Sequence, residues 1–265
     1  MMLQRILTAL VLLPLMLGML FYAPNGLWAI FSGLIALIAL WEYSRLCKMD
    51  YEQKMPYLAG TALFMLFAYL GSWQLPALAW CLVLCFWLVA MPLWLQRKWA
   101  VKNDWKGMFI GWLLMLPFWF ALISLRTDTE SALSLLAIMG LVWVADSCAY
   151  FVGRSFGKRK IAPSISPGKS WEGAAGGLVG AVVYMLLVHR AGWLDFDVDW
   201  FGVVGIAVIL TVVSICGDLL ESWLKRAAGV KDSSALLPGH GGVFDRTDSL
   251  LAVLSVYAAM TFLLS

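Results

Sequence analysis

Nine stretches of this chain are too apolar and too long for the core of a water-soluble domain. They can be drawn at 6–23, 27–45, 55–72, 75–96, 107–125, 131–152, 172–189, 200–221 and 249–264. Each is close to the ~20 residues that a helix needs to cross about 30 Å of hydrocarbon. No water reaches the bilayer interior to satisfy backbone N–H and C=O groups, so such runs must be helical. Only 13% of the side chains are charged, 62% are hydrophobic, and the mean hydropathy is +0.84, which excludes an ordinary soluble domain. The expectation is an all-α polytopic membrane protein with about nine transmembrane helices. Arg5 ahead of an apolar core ending near Ala23 has the outline of a signal peptide, but this first run is expected to be a retained helix.

Orientation follows from the lysines and arginines, which remain in short cytoplasmic loops. Of the 19 basic residues, all but Arg126 and Arg190 fall at the N-terminus or after an even-numbered span. Asp128, Glu130, Asp195, Asp197 and Asp199 fall on the other side. This places the N-terminus in the cytoplasm and the C-terminus outside. The net charge of +3 carries less information than this segregation. Cys47, Cys81, Cys85, Cys148 and Cys216 form no C-x-x-C pair and are expected to be small buried hydrophobes. The 15 tryptophans are expected at the interface and facing lipid. With no repeat or low-complexity linker, the chain reads as one integral domain. Residues 1–105 read as a transmembrane scaffold, and 106–265 carry the two longest polar loops, at 153–171 and 222–248, where any chemistry is expected.

The first loop, "GRSFGKRKIAPSISPGKSW", follows Asp146. Its "PGKS" is not a phosphate-binding P-loop, because Pro163 stands where the first glycine is required and no strand is expected before it. What remains is a bent, basic loop able to face phosphates through groups such as Lys169. Ser170 and Glu172 suit a helix start. Gly173, Gly176, Gly177 and Gly180 make two overlapping G-x-x-x-G spacings, expected to pack helices closely.

In the second loop, Asp218, Ser222 and Lys225 stand at i, i+4 and i+7 and share one helical face. Acids inside a membrane span are costly, which marks Asp146 and Asp218 as functional candidates. Glu42, between Trp41 and Tyr43, is open between function and structure. In "LPGHGGVFDRTD", Gly239, Gly241 and Gly242 around His240 allow a tight backbone with exposed N–H groups, suited to anionic oxygens. Asp248 could cap the last helix. Asp218 and Asp245 offer hard oxygen ligands from two segments at one membrane face, an arrangement that Mg²⁺ uses when it also holds substrate phosphates.

The segment "SWLKRAAGVKDSSALLPGHGGVFDRTD", 222–248, resembles the signature of the phosphatidate cytidylyltransferases, or CDP-diacylglycerol synthases. "ADSCAYFVGRSFGKRKIAPSISPGKSWEG", 145–173, also resembles that family, with Gly168 departing where relatives often carry Lys. Over the first 105 residues the likeness is only in hydropathy and in "WEY" at 41–43. The resemblance implies Mg²⁺-dependent transfer of CMP from CTP to phosphatidate in a bacterial inner membrane, with the active site facing the cytoplasm. It also implies a homodimer, a second, monovalent cation near the carboxylates, and no nucleic-acid partner. Asp218 and Asp245 are then the expected metal ligands. Lys225, Arg226, Asp146 and His240 join them as catalytic residues. Lys169, Ser170, Ser222, Lys231, Asp232, Gly241, Gly242, Arg246 and Asp248 are expected to bind substrate. The competing readings are a CTP-dependent enzyme acting on another lipid phosphate or polyprenol, and a secondary transporter. A transporter would place its acids near the midplane, in two related halves.

Overall fold

A computed structural model describes residues 2–194 and 198–264, so Asp195, Asp197 and Ser265 lie outside the described residues. Every apolar run read from the sequence falls on a helical rod. In chain order these are α1 (Met2–Tyr22), α2 (Asn25–Leu46), α3 (Tyr51–Leu70), a rod made of α4 (Ala77–Cys85), a π-turn and α5 (Met91–Arg97), α6 (Trp105–Ser124), α7 (Thr129–Phe156), α8 (Trp171–Arg190), α9 (Trp200–Ala228) and α10 (Phe244–Leu264). Six rods are long and apolar enough to cross a membrane by length and composition: α2, the α4–α5 rod, α6, α7, α8 and α9. The chain is a polytopic helical membrane protein.

Local chemistry sets the helix ends. Asp104, Asp128, Ser170 and Asp199 each accept a backbone N–H from three residues on, satisfying donors that the first helical turn leaves without partners. Gly229 ends α9 with φ +80°, a left-handed conformation that costs glycine little. The helix start expected at Ser170 is present with Glu172 in its first turn, and Glu172 also accepts the amides of Lys158 and Arg159. Asp248 does not cap α10: that helix begins at Phe244, a turn earlier, and Asp248 accepts the N–H of Ser249.

The architecture is wrapped around α10. From Leu250 to Ala259 this helix is buried on every side, packed by α9, α6, α4, α7 and α2. A helix apolar all round belongs at such a centre. α7 and α8 form the closest pair. A Cβ on Gly173 or Gly177 would stand 2.8 Å from the carbonyl oxygen of Ala149 or Ala145, so these glycines let the backbones touch. Outward faces of α1, α3 and α8 carry exposed Leu10, Val11, Leu66, Phe67, Val179 and Leu187, as lipid contact requires.

Three expectations need correction. The loop 153–171 is not all irregular: α7 runs on to Phe156, and β1 (Lys160–Ala162) pairs antiparallel with β2 (Ser166–Ser170). So short a hairpin gives little alternation to read, its main apolar anchor being Ile165, which is 2% exposed. Cys47 is buried, but Cys81 and Cys85 are exposed on α4, where a thiol can face lipid. Several tryptophans, among them Trp28, Trp80, Trp87 and Trp119, are core residues.

Candidate active site

At one end of the bundle the hairpin, the C-terminal turns of α7 and α9, the 229–243 segment and the start of α10 meet, and two clusters of opposite charges form there. In the first, Lys169 on β2 places its Nζ 2.5 Å from Asp218 on α9. Asp146 from α7 and Asp248 from α10 lie within electrostatic reach of Asp218, of each other and of this lysine. Ser222, one turn along α9, donates to Asp218 at 3.3 Å. Three carboxylates brought around one ammonium from three helices are held against their own repulsion.

In the second cluster Lys225 on α9 reaches Glu221 at 2.7 Å and Asp245 on α10 at 2.6 Å. The other oxygen of Asp245 accepts the N–H of Ser233 at 2.9 Å, the hydroxyl of Ser233 at 2.8 Å and the N–H of Gly242 at 2.7 Å. Its lone pairs are therefore engaged within the protein. The structure places Asp218 and Asp245, paired as ligands by the sequence reading, in separate ion pairs. The helical face expected for Asp218, Ser222 and Lys225 holds for the first two, while Lys225 turns to Glu221 and Asp245.

The 237–242 turn has the tight backbone that its glycines imply. Leu237 and Gly241 bridge through an N–H···O bond of 2.8 Å, and Gly239 and Gly241 have φ of +75° and +82°. Arg246 braces the turn by donating from Nε to the carbonyl of His240 at 2.9 Å. Among the described residues, His240 Nδ1 is buried without a hydrogen-bond partner. Arg226 leans on the hairpin through the Ile165 carbonyl at 3.4 Å. Lys231 and Asp232 are exposed, as are Lys158, Arg159 and Lys160.

Two acids take places that sequence reasoning did not assign. Glu221, 1% exposed, is a second acid in the last turns of α9, four residues before Lys225; that spacing was its signal. Glu42, fully buried on α2, accepts the hydroxyls of Ser233 at 3.0 Å and Ser234 at 2.5 Å, and the N–H groups of Val243 at 3.1 Å and Phe244 at 2.6 Å. It does for α10 what an N-cap does, from a different helix. The partners lie some 200 positions away along the chain, so no local pattern could reveal them.

A cavity of about 730 Å³ opens at the opposite end, lined by Trp28, Trp73, Trp80 and Phe262. Arg126 beside it spends its donors on the Leu20 and Ala23 carbonyls and on Asn25. That end has no cluster of acids and bases among its described lining residues, so the chemistry belongs to the other.

Hard carboxylate oxygens beside ammonium and guanidinium donors, at the end of a membrane bundle, are the groups with which a membrane enzyme can handle phosphates. The chain belongs to the cytidylyltransferase family, whose pattern it matches over residues 3–264. It is 43% identical to the phosphatidate cytidylyltransferase of Pseudomonas aeruginosa, over 97% of this chain and 96% of that one. Identity to the protein of the same name from Haemophilus influenzae is 32%, over 98% of both chains. With the Bacillus subtilis protein of that name it is 47% over 114 residues, which is 43% of this chain and 42% of the relative.

Proposed function

We propose that this protein transfers CMP from CTP to phosphatidate, releasing pyrophosphate and leaving CDP-diacylglycerol in the membrane. Near-complete alignment with relatives named for this reaction carries the reading, and the acid and base clusters give it a site. An oxygen of the lipid phosphate attacks the α-phosphorus of CTP. A P–O bond forms to the lipid as the bond to the β-phosphate oxygen breaks, and pyrophosphate leaves with that electron pair. The attacking phosphate is already ionised near neutral pH, so the protein's work is positioning and charge neutralisation rather than proton removal.

The donor chemistry fits a divalent cation such as Mg²⁺. Among the described residues no three His, Cys, Asp or Glu side chains make a ready cage, but Mg²⁺ is commonly held by one or two carboxylates plus substrate phosphates. Asp218 and Asp248 would hold it together with substrate phosphates, with Asp146 beside them, and the ion would neutralise charge on the triphosphate. Asp245, its oxygens engaged, serves instead by fixing Lys225 and the 233–242 segment. Lys225 spends two of its three N–H donors on Glu221 and Asp245 and keeps one for a phosphate oxygen. Lys169, Arg226, Lys231 and Arg246 supply further cations, Gly241 and His240 would meet the same anions, and Gly242, whose N–H is donated to Asp245, holds the turn in place. Ser222 and Asp232 complete the substrate contacts, while Ser170, expected among them, is buried as the cap of α8 and holds Lys169 beside Asp218.

We further read nine spans, a cytoplasmic N-terminus and a cytoplasmic site in a bacterial inner membrane, on the charge segregation of the loops. A homodimer and a second, monovalent cation rest on the family resemblance. The deciding experiment incubates purified protein with CTP, Mg²⁺ and a panel of lipid phosphates, and identifies the product by mass. CDP-diacylglycerol formed from phosphatidate, and stopped by chelation, is the expected result. A folded, lipid-supplied protein that makes no nucleotide-lipid but moves a solute across vesicles would replace the enzyme with a transporter.

A further inference from the structure

We infer that Glu42, on α2 of the N-terminal scaffold, is a positioning residue for this reaction, acting on Lys225 through Ser233 and Asp245. The inference rests on the function proposed above and assigns a role to a residue outside the two long segments, 145–173 and 222–248, that carry most of the family likeness.

The path is continuous in contacts of hydrogen-bond length. Glu42 Oε2 lies 3.0 Å from Ser233 Oγ, and the same hydroxyl lies 2.8 Å from Asp245 Oδ2. Asp245 Oδ1 then lies 2.6 Å from Lys225 Nζ. A serine hydroxyl has one proton and can donate to only one carboxylate at a time. Either arrangement is tolerable, because each acid keeps other donors. Glu42 retains Ser234, Val243 and Phe244, while Asp245 retains the amides of Ser233 and Gly242. Two acids from distant parts of the chain are thus set against one hydroxyl, and the position of each depends on the other. Gly242 fits the same scheme: a Cβ there would run into the Ser233 hydroxyl and the Glu42 carboxyl.

A carboxylate is needed for this, not merely a polar group of similar size. All four groups facing Glu42 are donors, two hydroxyls and two backbone amides. Glutamine at this position would turn an NH₂ toward two of them, and the amides of Val243 and Phe244 cannot reverse. The 233–244 segment must then shift, taking Asp245 and Lys225 with it. Displacing a positioned group by about 1 Å costs up to roughly 100-fold in rate.

The test is a double-mutant cycle on the full-length protein in detergent or nanodiscs, assayed with CTP and phosphatidate, with unfolding temperatures measured alongside. Glu42→Gln is expected to lower kcat by roughly 10- to 100-fold while the protein stays folded. In a Lys225→Met background, whose residual turnover is the new reference, Glu42→Gln is expected to lower kcat little further, because the group it positions is gone. A helix-capping role alone would lower the unfolding temperature equally in both backgrounds and leave kcat per folded molecule unchanged. Should Glu42→Gln fail to fold, Ser233→Ala carries the same cycle, since it removes the shared hydroxyl and leaves both acids. Folded variants with wild-type kcat, or losses that multiply with that of Lys225→Met, would overturn the inference. Wild-type protein inactive on phosphatidate would instead overturn the function on which it rests.

Discussion

Asp218 and Asp245 each face a lysine, but not the same one, and their substitutions should separate accordingly. Asp218→Asn removes an anionic oxygen from the carboxylates around Lys169. If that group holds the divalent ion, the loss should match that of a preorganised electrostatic contact, about 3–4 kcal/mol or roughly 10²–10³ in rate. The unfolding temperature should change little, because Asn keeps the shape and the site is partly open, with Asp218 28% exposed at its side chain. Asp245→Asn acts elsewhere. It leaves Lys225 with one acid and turns part of a carboxylate that accepts two amides and a hydroxyl into a donor, which should lower stability by about 1–3 kcal/mol as well as turnover. The sharper discriminator is the metal. Raising Mg²⁺ should partly restore Asp218→Asn and not Asp245→Asn. Equal rescue of both would return Asp245 to the ligand set that its position in the sequence first implied.

The helices were legible because their cause is local: long apolar runs forced to satisfy their own backbone, with Ser170 marking the start of α8. The packing that aligns the site was legible only as a pattern. The paired glycine spacings in α8 announced close contact without naming the partner, which is α7 at Ala145 and Ala149. The hairpin and the Glu42 latch left no local trace, since each depends on groups brought together only by the fold. The α7–α8 contact predicts its own mutants. Gly177→Val would push a side chain into the Ala145 carbonyl, part the helices and cost about 1–3 kcal/mol, displacing Asp146 one residue from the contact and lowering turnover. Gly205→Ala, where no atom lies within 4 Å of the added Cβ, should instead gain about 0.5–1 kcal/mol. Thermal unfolding of both in one detergent checks the contrast. The cap of α7 adds a pH test. Hydrogen bonds from Ser131, its backbone N–H first, hold the Asp128 carboxyl below its ordinary value. A depressed folded value means that the cap's contribution is present above the unfolded carboxyl's titration and fades as pH falls through the folded one. Asp128→Ala should therefore lower the unfolding temperature at pH 7 and lower it by less at a pH below the ordinary carboxylate range. An equal loss at both would mean that the carboxylate is not what matters.

Contacts at the two ends of the bundle sort the connecting segments into two groups. Thr8 on α1 donates to the Pro238 carbonyl, Trp223 to that of Trp99, and Glu42, Lys169 and Arg226 reach the same end. Asn25 meets Thr127 at the other end, where Ser72, Gln74 and Thr261 line one cavity. This is the alternation that basic residues predict if nine rods pass up and down, because 17 of the 19 lysines and arginines then fall on the side of the site. Basic loops stay on the cytoplasmic side, so the reactive end should face the cytoplasm, where CTP is made. Single cysteines at Lys160, His240 and Gln74, in a background cleared of the five native cysteines, turn this into a measurement. All three positions lie in connecting segments, outside the helical rods. An impermeant thiol reagent added to intact cells should label Gln74→Cys alone, and all three after the cells are opened. Labelling of the 160 and 240 positions in intact cells, with Gln74→Cys protected, would invert the protein in the membrane. Its site would then open to a compartment without CTP, and neither the charge argument nor the proposed reaction could stand as written.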